Sequence, residues 1–182
     1  SILAKAWEQI DRIGARSHWR PRRVLVLGPG PIGLLAALCA VLRGLEVYVL
    51  GLSTAGVKPR LVEDLGATYV TGDVGEACAD VDVLLECTGV PELVFDAMRC
   101  VAANGIVCLT GISSGRHVLR VDAAALNDEL VLENNVVFGS VNANRRHYDE
   151  AARVLARADP GWLERLITRR IPLRDWEQAF VR

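Results

Sequence analysis

At 182 residues the chain is long enough for one sizeable core, or for one domain with a short appendage. Its composition, 51% apolar and 24% charged with no low-complexity segment, is that of an ordinary folded protein and excludes a disordered or fibrous one. A formal net charge of −1 leaves no electrostatic reason to expect a nucleic-acid partner.

The chain opens "SILAKAWEQI", where Lys5 and Glu8 interrupt what a signal peptide would keep apolar, so no signal peptide is read here. Apolar residues at Ile2, Leu3, Ala6, Trp7, Ile10 and Ile13 predict a helix ended by Gly14. The basic run Ala15 to Arg23 comes next, just before the first strand, and is expected to be a solvated entry loop. Strand and helix signals then alternate. Strands are predicted over 24–27, 47–50, 68–70, 83–86, 106–110 and 136–138. Helices are predicted over 32–42, 59–65, 91–101, 123–132 and 145–158, with a brief helical piece after the third strand. Residues 24–42 carry no charge, yet the GPGPIG in their middle breaks any single helix. The run therefore divides into a buried strand and a buried helix, and no membrane partner is expected. Short apolar strands alternating with helices imply parallel strands covered on both faces. Six of them fit an α/β fold, a doubly wound six-stranded parallel sheet of the Rossmann kind in the order 3-2-1-4-5-6. The tail "LITRRIPLRDWEQAFVR" breaks this rhythm.

The stretch Gly28-Pro29-Gly30-Pro31-Ile32-Gly33 matches GxGxxG between a strand and a helix. Gly28 permits a tight turn, Gly30 lets backbone approach a pyrophosphate, and Gly33 lets the helix sit close to the strand. Pro31 suits the first helical turn, and with Ile32 it opens a helix without an acid in that turn, leaving its N–H groups for an external anion. Two later strand ends carry small residues of the same kind: Thr88 and Gly89 in "LLECTGVPE", and Thr110, Gly111 and Ile112 in "LTGISSG". Such ends let a ribose or a flat ring lie against the backbone. After the sixth strand come Ser140, Val141 and Asn142. Asn144 reads as a helix N-cap, whereas Asn142 has no such task and is expected to face the ligand. Arg145, Arg146 and His147 are expected to form a solvated first turn, because cations there oppose the helix dipole unless an anion is near.

A carboxylate about 20 residues past the glycines ordinarily grips the adenosine ribose 2′-hydroxyl. Here that place reads Gly51-Leu52-Ser53-Thr54, and the first acid beyond it is Glu63. Its absence removes the repulsion of a 2′-phosphate. Ser53, Thr54 and Lys58, with Arg60 further on, can supply hydroxyl donors and positive charge. NADP is therefore expected to be accepted and preferred, with NAD possible.

Cys39, Cys78, Cys87, Cys100 and Cys108 form no CxxC pair and sit in apolar stretches, which suits reduced buried thiols in a cytoplasmic protein. His18, His117 and His147 have no partner at ligand spacing, and no metal site is expected within the chain.

Together GPGPIG, "ECTGVPE", "LTGISSG" and above all "GSVNANRRHYDEAARVL" resemble the coenzyme domain of medium-chain dehydrogenases, most closely the glucose dehydrogenase branch. "ITRRIPLRDWEQAF" is similar to that family's return to its catalytic domain. The resemblance implies a connecting helix over 1–20, a dinucleotide-binding domain over 21–160 and a return segment over 161–182. It also implies a fragment, without the catalytic domain that holds zinc and much of the substrate pocket, so no catalytic residue is expected in this chain. In the intact enzyme it implies a homo-oligomer that transfers a hydride from C1 of glucose or a related aldose to the nicotinamide. Asn142 would there reach a sugar hydroxyl. Alternatives are the coenzyme domain of another alcohol or polyol dehydrogenase, and a stand-alone nucleotide-sensing module.

Overall fold

A computed structural model of the chain describes residues 1–77 and 80–180; Cys78 and the last two residues of the return segment lie outside the described residues. Six strands form one all-parallel sheet in the order β3-β2-β1-β4-β5-β6, the expected doubly wound arrangement. They are β1 (Arg23–Leu27), β2 (Glu46–Leu50), β3 (Thr68–Val70), β4 (Val83–Glu86), β5 (Ile106–Leu109) and β6 (Val136–Gly139). The strand order reverses between β1 and β4, which pair in parallel from Val24↔Val83 to Leu27↔Glu86. Here a crevice opens beyond the carboxyl ends of the strands.

Alternation along the strands builds two cores. Val24 and Val26 of β1, Val47 and Val49 of β2, and Val83 and Leu85 of β4 face one side. Leu25, Leu27, Leu50 and Leu84 face the other. Burial on both faces explains why these strands read as continuous apolar runs. On the first face lie α1 (Ile2–Gly14) and α2 (Pro31–Val41). The amphipathic α1 buries Leu3, Ala6, Trp7 and Ile10, while α2 is wedged between α1 and the sheet, which is why it carries no charge. The second face is covered by α4 (Val74–Ala77) and α5 (Pro91–Met98).

Several boundaries differ from expectation. The helix α3 (Val57–Glu63) begins ahead of Pro59 rather than at it. The proline lies in the first turn, where its missing N–H forfeits no helical bond. The α5 helix stops at Met98, before Val101. The α6 helix (Ala123–Leu132) forms as expected but buries none of its residues, and Val131 and Leu132 are exposed. Ahead of the tail, α8 (Pro160–Arg165) continues the fold after α7 (Arg145–Ala156), and within the tail a 3₁₀ helix follows over Leu173–Ala179. Trp162 of α8 is fully buried, and its indole N–H donates to the Leu61 carbonyl of α3 at 2.7 Å.

The basic entry run is only partly solvated. The Arg16 guanidinium donates to the Asn134 carbonyl at 2.6 Å, and Trp19 packs so closely on Gly14 that a Cβ there would lie 2.0 Å from its ring. The run sits at the amino ends of the strands, away from the crevice. Cys39, Cys87 and Cys108 are free thiols, but Cys100 is disulfide-bonded, which corrects the expectation for that residue. Among the described residues no helix is long and apolar enough to cross a membrane.

Candidate functional site

The glycine turn joins β1 to α2 at the carboxyl edge of the sheet, and each glycine has a distinct steric reason. Gly28 adopts φ +94°, and a Cβ on it would meet the Thr88 methyl at 2.7 Å. On Gly33 a Cβ would lie 1.8 Å from the Gly28 carbonyl oxygen, so only glycine lets α2 approach the turn this closely. Gly30 is the opposite case, with no atom within 4 Å of where its Cβ would be. It is the N-cap of α2 and offers no side chain to the helix's first N–H groups. Pro31 is the first helical residue, Ile32 is exposed beside it, and the first turn holds no acid. Open space, unpaired N–H groups and the positive end of a helix dipole together make an anion cradle.

Beside this turn lies a cleft of about 290 Å³ between the ends of β1, β2 and β4. Gly28, Leu52, Ser53, Lys58 and Thr88 line it, so the fold unites predicted residues from three separate strand ends. None of its lining residues is acidic. Leu52 is fully exposed, and Thr54 is exposed on the same loop. The Ser53 hydroxyl is partly occupied, accepting from the Ala55 N–H at 3.2 Å. Lys58 belongs to the first turn of α3 rather than to the preceding loop, and it projects from that helix into the cleft lining.

The lining also includes Tyr69 of β3, which sequence motifs did not single out. Its hydroxyl donates to the Ser53 carbonyl at 2.7 Å. It also lies 2.1 Å from where a Cβ on Gly51 would be, so Gly51 must lack a side chain for Tyr69 to reach the loop. The only available signal was a tyrosine in the middle of a short strand in the motif "GATYV", which carries no information about its partner.

Past the cleft, the ends of β4 and β5 are locked together by Glu86, the one acid in the β4 strand and fully buried. One oxygen of its carboxyl accepts from the Thr88 N–H at 2.6 Å, the Gly89 N–H at 2.9 Å and the Thr88 hydroxyl. Its main-chain carbonyl accepts from the Thr110 hydroxyl at 2.8 Å and from the Gly111 N–H at 3.0 Å. Gly111 and Gly89 are in backbone contact, since a Cβ on Gly111 would lie 2.2 Å from the Gly89 nitrogen. Ile112 backs onto Gly89 and is itself exposed. Glu86 was overlooked in "LLECTGVPE"; an acid closing an otherwise apolar strand was the available clue. Burial, against a weaker pull from the Thr110 hydroxyl, pushes the thiol of neighbouring Cys87 up to about 12, which favours its protonated form.

At the end of β6, the Ser140 N–H donates to the Leu109 carbonyl at 2.9 Å, which sets the 140–144 loop beside the β5 end. Ser140 is buried; Val141 and Asn142 are exposed, and Asn142 adopts φ +61°. Asn144 is the expected N-cap, accepting from the His147 N–H at 3.4 Å. Arg145 and Arg146 of the expected solvated first turn are exposed, but the expectation fails at His147. His147 is buried, and its Nδ1 accepts from the Asn144 N–H at 3.1 Å. That assigns the ring proton to Nε2, which donates to Glu8 of α1 at 2.8 Å. Arg146 pairs with the same carboxylate at 2.6 Å, so Glu8 is the anion that makes cations tolerable at this helix start. Burial acts to raise the Glu8 carboxyl, but the His147 bond and the Arg12 and Arg146 charges outweigh it and hold the group low.

Residues 1–182 match a family model described as the glucose dehydrogenase C-terminus. A glucose 1-dehydrogenase of Methanocella arvoryzae is 39% identical, over 98% of this chain and 53% of its own length. Glucose 1-dehydrogenase 2 of Vulcanisaeta moutnovskia is 36% identical, over 100% of this chain and 53% of its own. The solved Haloferax mediterranei glucose dehydrogenase in complex with NADP, zinc and gluconolactone superimposes with a TM-score of 0.90 at 31% identity, covering 100% of this chain and 53% of that one. The chain thus spans about half the length of the curated relatives it matches.

Proposed function

Because the chain belongs to the glucose dehydrogenase C-terminus family, we propose that it is the NADP-holding part of a glucose or aldose 1-dehydrogenase. The observation that carries this reading is the contrast among the three glycines, two closed against the protein and one, Gly30, open at a helix start. That is the shape a pyrophosphate requires, since its oxygens take backbone N–H groups and tolerate no side chain between. The adenosine then occupies the cleft beside Leu52, Ser53 and Lys58, with exposed Thr54 of the same loop near the ribose phosphate. The nicotinamide runs along Thr88, Gly89, Thr110, Gly111, Ile112, Ser140, Val141 and Asn142, where Asn142 also meets the sugar.

NADP is favoured over NAD by the acid-free cleft and by Lys58, the cation in its lining. When bound, the nicotinamide supplies the hydride acceptor. This chain's own residues hold the pyrophosphate, exclude water from the β4 and β5 ends and orient the ring. The relatives extend well beyond the matched region, and we place the zinc and the rest of the sugar pocket in that remainder. On this layout residues 1–20 connect the domains, 21–160 bind the dinucleotide and 161–182 return toward the catalytic domain. Exposed Leu173, Trp176 and Phe180 in the return segment support a docking role. A homo-oligomer is supported by exposed Val131 and Leu132 beside the edge strand β6. A cytoplasmic setting is supported by the free thiols, whereas the Cys100 disulfide opposes it.

Titration of the 182-residue chain with NADP⁺ and NAD⁺ at fixed salt tests the reading. Tighter NADP⁺ binding is expected, with no glucose oxidation even when zinc is supplied. Clearly tighter NAD⁺ binding would overturn the cofactor preference, and measurable glucose turnover would overturn the division of labour.

A further inference from the structure

The 140–144 loop is poorly supported by its own backbone. It has no regular secondary structure, and Asn142 holds a left-handed conformation that non-glycine residues seldom adopt. Its two ends are tied down by the Ser140 N–H on Leu109 and by the Asn144 cap of α7. Between and behind those ties, a single turn of α1 reaches in from the far end of the chain. The Lys5 ammonium donates to the Val141 carbonyl at 2.8 Å, across 136 residues of sequence. One turn later, Glu8 accepts from His147 Nε2, whose Nδ1 in turn accepts from the Asn144 N–H.

These two side chains are not what packs α1 onto the fold. That task falls to Leu3, Ala6, Trp7 and Ile10 on its apolar face. Lys5 and Glu8 spend their polar groups on backbone geometry at both sides of Asn142: the carbonyl before it and, through His147, the N–H two residues after it. We propose that Lys5 and Glu8 are positioning residues for the nicotinamide half of the cofactor site, holding the 140–144 loop in the conformation that receives it. The proposal rests on the cofactor reading given above. It assigns to α1 a role at the β6 end of the crevice, remote from the Gly28–Gly33 turn and the adenosine cleft.

The test uses the 182-residue chain and two nucleotides: NADP⁺, and 2′,5′-ADP, which carries the adenosine and its phosphates but no nicotinamide. Lys5→Met is expected to weaken NADP⁺ binding about three- to tenfold, the equivalent of one lost hydrogen bond, and to leave 2′,5′-ADP within about twofold. Lys5→Arg, which still reaches a carbonyl, should restore NADP⁺ affinity. In the unliganded Lys5→Met chain, amide hydrogen exchange at residues 142–144 should quicken while that of β1 and β4 stays unchanged. Glu8→Ala should reproduce the split between the two nucleotides; should it fail to fold, the Lys5 pair still decides. Equal weakening of both nucleotides, or no change in either, overturns the proposal and leaves the cofactor reading intact. A parent chain that binds 2′,5′-ADP but binds NADP⁺ no more tightly removes the nicotinamide contact and the proposal with it. A parent chain that binds neither overturns the cofactor reading itself.

Discussion

Tyr69 and Gly51 show how a site residue can be invisible to motif and plain in three dimensions. The glycines of the turn are legible because their spacing along the chain is itself the geometric requirement. Gly28, Gly30 and Gly33 serve one turn and one helix start, and the chain never leaves the neighbourhood between them. Tyr69 acts on Ser53, 16 residues away, through a contact that exists only once β3 has paired with β2. Removing its hydroxyl by Tyr69→Phe leaves the Ser53 carbonyl without that donor and frees the loop that carries Leu52, Ser53 and Thr54. A cost of about 0.5–1.5 kcal/mol is expected in NADP⁺ binding, two- to tenfold, with a smaller effect on NAD⁺. Parallel titrations of parent and variant check it; equal losses for both cofactors would show that Tyr69 shapes the adenine wall and not the phosphate loop.

Among the elements, α8 and the first turn of α7 depart furthest from expectation, and for one reason. Both are amphiphilic segments whose partners come from other parts of the chain. The short stretch around Trp162 lies past the last strand–helix unit, so nothing local announces that its indole will be buried under α3. Likewise His147 looks like a solvated first-turn residue until α1 supplies Glu8, 139 residues distant. By contrast α2, apolar throughout, and α1, apolar along one stripe, were legible because their patterns state how many faces are covered. Trp162→Ala would open a cavity between α8 and α3 and strand the Leu61 carbonyl. A loss of about 3–5 kcal/mol is expected, measured as a lower urea midpoint. An unchanged midpoint would mean that α8 is dispensable to the dinucleotide-binding fold.

For the molecule as a whole, burial of free thiols makes stability fall in alkali. Burial leads in pushing Cys39 up to about 11 and Cys87 and Cys108 to about 12, from an ordinary value of 9.0. Well below pH 9.0 these thiols are neutral whether the chain is folded or not, and their contribution is fully present. Above it the unfolded chain releases protons that the folded chain retains, so stability drains away as the pH climbs toward the folded values. At about pH 10 each thiol should cost up to about 1.4 kcal/mol. Urea midpoints across this range should decline, and less steeply in a Cys108→Ala chain than in the parent; parallel declines would contradict the assignment. The alternation of short apolar runs with helices was enough to determine the doubly wound sheet and its strand order, because parallel strands buried on both faces have few other solutions. The strand order in turn places every residue that follows a strand at one edge, and the cleft there gathers Gly28, Leu52, Ser53, Lys58 and Thr88 of the predicted positions. Only the tertiary structure could decide which side chains brace that edge. Tyr69 over Gly51, and Lys5 and Glu8 behind the 140–144 loop, act through contacts between distant segments. Such contacts leave no periodicity and no spacing in the chain, since their geometry is created by packing rather than by local backbone preference.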